Sequence, residues 1–95
     1  MAIFMDIEFV SILEAELPDA FSVAFDVIYG GETWCRSIVD VDSAEAALLG
    51  QDEHAVIRAA RGALLDLLEP ETGPVSFHLR LEPEGAVVLA KARPW

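Results

Sequence analysis

Residues 21–41 read FSVAFDVIYGGETWCRSIVDV, and this stretch allows few folds. Phe21, Val23, Phe25, Val27 and Tyr29 alternate with Ser22, Ala24, Asp26 and Ile28. Successive side chains of a strand point to opposite faces, so a period of two marks a strand with one buried face. Gly30 and Gly31 supply a turn, and the segment from about Thr33 to Val41 returns as a second strand. The register follows from pairing. A two-residue loop sets Phe25 against Arg36 and Val23 against Ile38. A three-residue loop, Gly30 to Glu32, sets Phe21 against Val41, Val23 against Val39 and Val27 against Cys35. It also sets Asp26 against Arg36 and Ile28 against Trp34 on the other face. The second scheme keeps one face almost entirely apolar and pairs opposite charges on the other. It is the expected register, although Glu32 then occupies a loop position that suits glycine better.

This register also defines the setting of Cys35, the one cysteine of the chain. It shares a face with Val39 and Val41, while Arg36 and Trp34 point the other way. A thiol among apolar side chains is held protonated and is inert. Cys35 is therefore read as a core residue and not as a nucleophile.

The rest of the chain extends the pattern. Odd positions from Ile3 to Leu13 are largely apolar, with Asp6 and Glu8 between them, so an earlier strand is expected there. Pro18 and Asp19 supply turn chemistry. Ser43 heads a short helical turn closed by Gly50, and Asp52 caps a helix over about Glu53 to Leu68. Val56, Ile57, Ala60, Ala63, Leu64, Leu67 and Leu68 form its apolar face. Arg58, Arg61 and Glu69 mark the opposite side, where Leu65 is expected to be exposed. Gly62 lies mid-helix and suggests a close packing partner. A final hairpin follows, with Val75, Phe77, Leu79 and Leu81 on one face. A three-residue loop through Pro83 and Gly85 would set Leu81 against Val87 and Leu79 against Leu89.

The expected architecture is a single α+β domain over residues 1–95: an antiparallel sheet of about five strands, in the order β-β-β-α-β-β, with one main helix packed on one face. The second sheet face is expected to carry Ile28, Trp34, Ile38, Val88, Val10 and Ile12.

Composition bounds the function. Apolar residues make up 54% of the chain without counting glycine, against about 45–50% with glycine counted in ordinary soluble domains. The excess points to a buried subunit contact. A homodimer is expected, with Ile28, Trp34, Ile38, Leu65 and Trp95 as candidate interface residues. The formal charge of −11 repels nucleic acid and anionic membranes and suits a basic protein partner. No apolar run approaches the roughly 18 residues of a membrane span. The first residues lack the basic region of a secretory signal, so a cytoplasmic location is expected.

Candidate chemistry is sparse. Asp40 and Asp42 share a strand face near Glu45, but the DVDS segment lacks the glycine and ligand spacing of a calcium loop. His54 and His78 are far apart in sequence and have no neighbours at metal-ligand spacing. No phosphate loop, nucleophile elbow or dinucleotide fingerprint is present. No catalytic residue, metal or cofactor is expected. The chain reads as a non-enzymatic protein-interaction module of the inhibitor, antitoxin or immunity-protein kind. A small-molecule binder or minor enzyme with a pocket between helix and sheet is the alternative.

Overall fold

The computed structural model describes residues 5–14, 20–42, 53–82 and 85–93. The expected turn from Ser43 to Gly50, the Asp52 cap and Trp95 lie outside these residues. Strands β1 (Met5–Glu14), β2 (Ala20–Tyr29) and β3 (Glu32–Asp42) precede a helix, α1 (Glu53–Leu67). A short 3-10 turn (Pro70–Thr72) leads into β4 (Ser76–Glu82) and β5 (Gly85–Ala92). All five strands form one sheet in sequence order, β1-β2-β3-β4-β5.

The fold is α+β as expected, but the sheet is not wholly antiparallel. β3 and β4 pair parallel through Ile38–His78, Val39–Leu79 and Asp40–Arg80. The reason is topological. A helix that crosses over the sheet returns the chain to the end from which the preceding strand began, and neighbouring strands joined in this way run parallel.

The expected β2–β3 register is present from Phe21–Val41 to Val27–Cys35, including Asp26–Arg36. Its loop differs. Tyr29 pairs with Glu32, so the turn is the two residues Gly30 and Gly31, and Trp34 is an extra residue bulged out of β3. Both glycines have positive φ, 63° and 84°. Two positive values at the centre of a two-residue turn match the right-handed twist of the flanking strands. Glu32 is thereby released from the loop, and Ile28 faces Thr33 instead of Trp34.

Two further irregularities overturn expected placements. Val10 is inserted in β1, so Ser11 pairs with Ala24 and Ile12 with Val23. Ile12 thus lies on the helix side of the sheet, not on the second face. In β5 the change begins at the turn. Glu82 pairs with Gly85, so the loop has two residues and not three. Leu81 pairs with Ala86 and Leu79 with Val88, which puts Val88 on the helix side and Val87 on the second face. The inserted Leu89 then restores the expected register at Phe77–Lys91. One added residue exchanges the two faces of everything beyond it.

The core lies between the sheet and α1. Val23, Phe25, Val27, Val39, Val41, Leu79 and Leu81 meet Val56, Ala60, Leu64 and Leu68. The helical residues recur every fourth position and form one stripe, and Leu68 continues it by donating its amide to the Leu64 carbonyl (3.2 Å). Ile57 and Ala63 pack at the margin. Arg61, expected on the solvent side, instead reaches the first strand (below). Gly62 has no close partner: a Cβ there would meet nothing within 4 Å.

Two stability measurements follow. Leu64 is fully buried, so Leu64→Ala should cost about 2–5 kcal/mol of a total near 5–15 kcal/mol. Urea unfolding reads this, and a loss below about 1 kcal/mol would remove Leu64 from the core. Gly62→Ala should raise stability by about 0.5–1 kcal/mol, because alanine restricts the unfolded chain and fits the open space. A lower melting temperature would contradict this geometry.

Candidate functional site

The sheet face turned away from α1 is the one broad surface of the described residues that no helix covers. Cross-strand pairing places Glu8, Asp26, Asp40, Asp42 and Glu82 on it, with Arg36, His78 and Arg80, while the Asp6 carboxylate is held at the β1 edge by Arg61 of α1. Carboxylates outnumber cations on this face, which concentrates part of the chain's net charge there.

Its centre is a polar cluster. Ser22 Oγ donates to Asp40 Oδ1 at 2.6 Å. The other oxygen, Asp40 Oδ2, is 2.6 Å from His78 Nε2. Asp40 thus ties β2 to β4 across β3. Ser22 does not contact the histidine ring in this arrangement; it shares the carboxylate with it. The geometry fits a structural brace, since a nucleophile must bond to its base to be activated. Asp26–Arg36 (3.3 Å) and Arg80–Glu82 (2.9 Å) flank the cluster as exposed ion pairs. Among the described residues no group of three or more potential ligands could hold a metal ion.

The expected interface residues do not form one patch. Ile28 and Ile38 are half-buried on this face, but the Asp26–Arg36 pair lies between them along the strands. Ile38 sits instead beside buried Ala24. Trp34 is exposed at the bulge and donates its indole Nε1 hydrogen to the Tyr29 carbonyl (3.1 Å). Leu65 is exposed on the outer side of α1, as expected and remote from the others.

Large apolar side chains are instead exposed along both edge strands, Phe9, Val10 and Ile12 on β1 and Val87, Val88 and Leu89 on β5. For β5 the signal is in the sequence. GAVVLA is an apolar run without alternation, which normally means burial on both faces. At the edge of a sheet the same run is exposed. The Ser22–Asp40 contact was also accessible from the β2–β3 register, whereas His78 required knowledge that β4 joins β3.

No protein-family model matches the chain, and no curated protein or solved structure matches it. Among the described residues no helix is long and apolar enough to cross a membrane.

Cys35 is half-buried and packs against the core cluster. Burial first, and the Asp26 carboxylate second, push its thiol above the ordinary range. Both causes disfavour the thiolate. Labelling by a thiol reagent at neutral pH should therefore be slow in the native protein and fast in denaturant. The raised folded value has a stability consequence. The contribution of this group is complete below the unfolded pKa, about 8.5, and is lost as pH rises through the folded value. Equal labelling rates in the native and denatured states would show the thiol to be unprotected.

Proposed function

We propose that the protein is a non-enzymatic interaction module that binds a basic partner protein through its open sheet face. The observation that supports this reading is the composition of that face. Glu8, Asp26, Asp40, Asp42 and Glu82 outnumber Arg36, His78 and Arg80 around the Ser22–Asp40–His78 cluster and half-buried Ile38, and the described elements leave this face uncovered. A surface of one dominant sign steers an oppositely charged partner and raises its association rate. The same field repels nucleic acid and anionic membranes.

Glu8 is exposed on this face and lies outside the Asp40 brace. Partners recovered from the native host by cross-linking should have basic surfaces. Their association rate should fall with added salt, and the variant Glu8→Gln should slow it while leaving the fold intact. A partner that binds the Glu8→Gln variant at an unchanged rate, or that ignores salt, would defeat the acidic-face reading.

A further inference from the structure

We infer that His78 Nδ1 is a recognition atom of the open face: an acceptor, fixed in its tautomer by Asp40, for an arginine N–H of the basic partner. The inference rests on the acidic-face reading and adds to it the atom that the partner's cation finds.

The ring is held from one side. His78 Nε2 lies 2.6 Å from Asp40 Oδ2. An ionised carboxylate only accepts hydrogen bonds, so Nε2 of the neutral ring must carry the hydrogen. Asp40 is itself fixed, because its other oxygen accepts from Ser22 Oγ at 2.6 Å. Rotation of the carboxylate would break both bonds. A neutral imidazole has one protonated nitrogen and one lone pair, and the bond made by one nitrogen sets the state of the other. Nδ1 therefore carries the lone pair. The cross-strand neighbours of His78 are Ile38 on β3 and Ala90 on β5, whose side chains have no donor. Among the described residues no donor reaches Nδ1. The side chain is 44% exposed. A brace across the seam needs only Nε2, which leaves Nδ1 for an outside group.

The surroundings select that group. The cations of this face are engaged with carboxylates of their own chain, Arg36 with Asp26 and Arg80 with Glu82. An anion would meet a lone pair among carboxylates and be repelled. Among the described residues no group of three or more ligands could hold a metal ion. A cationic donor gains from both the lone pair and the field. Arginine suits the site better than lysine. Its planar fork of five N–H groups can bond Nδ1 and a carboxylate together, and it is less strongly hydrated than an ammonium.

Nitrogen-15 spectra of the ring at mildly alkaline pH test the first step without a partner. Nε2 should be of the protonated type and Nδ1 of the lone-pair type. In Asp40→Ala both signals should move towards the averaged positions of a free imidazole. A tetra-arginine peptide added at low salt should then shift Nδ1 and leave Nε2 in place. His78→Phe should weaken its binding about three- to tenfold, the loss of one hydrogen bond. His78→Asn, which keeps an acceptor near the position of Nδ1, should recover most of this. Tetra-lysine should bind with little dependence on His78. A protonated Nδ1 in the unaltered protein, a peptide that leaves Nδ1 unmoved, or equal binding by His78→Phe would each overturn the inference. Equal dependence of both peptides on His78 would overturn the choice of arginine. The acidic-face reading fails separately, when Glu8→Gln and added salt leave peptide binding unchanged.

Discussion

The structure depends on the parallel seam between β3 and β4. Without it the chain is a three-stranded meander and a separate hairpin, and an isolated hairpin is marginal in water. The backbone ladder across the seam is short, from Ile38–His78 to Asp40–Arg80, and side chains extend it. Buried Ser37 accepts the Phe77 amide hydrogen on Oγ (2.9 Å), and Ser76 Oγ donates to the Arg36 carbonyl. The Asp40–His78 contact adds a third tie on the open face. Ser37 is a polar residue with no exposure on the helix side. Its hydroxyl is tolerated there because it satisfies an amide that would otherwise be buried without a partner.

The seam also sets the asymmetry of the molecule. It adds β4 and β5 to one side of the meander, while α1 spans β1 to β4. β5 is thereby placed beyond the helix. At the other end Arg61 of α1 reaches Asp6 and the Ile7 carbonyl. One end of the sheet is finished by a side chain from the helix, and the other is left as bare strand.

Stability resides in the core more than in the charges. Asp26–Arg36, Asp6–Arg61 and Arg80–Glu82 are solvent-exposed to varying degrees, and such pairs contribute about 0–1 kcal/mol each. Arg61 has a further role because it also satisfies a main-chain carbonyl at a strand edge. Arg36, Arg61 and Arg80 each hold a carboxylate of their own chain. They lie on different elements and do not converge.

The sequence by itself determined the elements, the apolar stripe of α1, the β2–β3 register from Phe21 to Val27 and the place of Cys35 on the helix side of the sheet. These depend on periodicity and on neighbours close along the chain, which alternation of apolar and polar residues records directly. Only the tertiary structure decided the parallel seam, the role of Arg61 and the exposure of β5. Each depends on which strand lies beside which, and side-chain pattern carries little of that information when β4 could join either edge. The bulges at Val10, Trp34 and Leu89 were hidden for a related reason. A bulge adds one residue to one strand, and its position is set by the partner strand opposite, so the pattern of a single strand does not locate it.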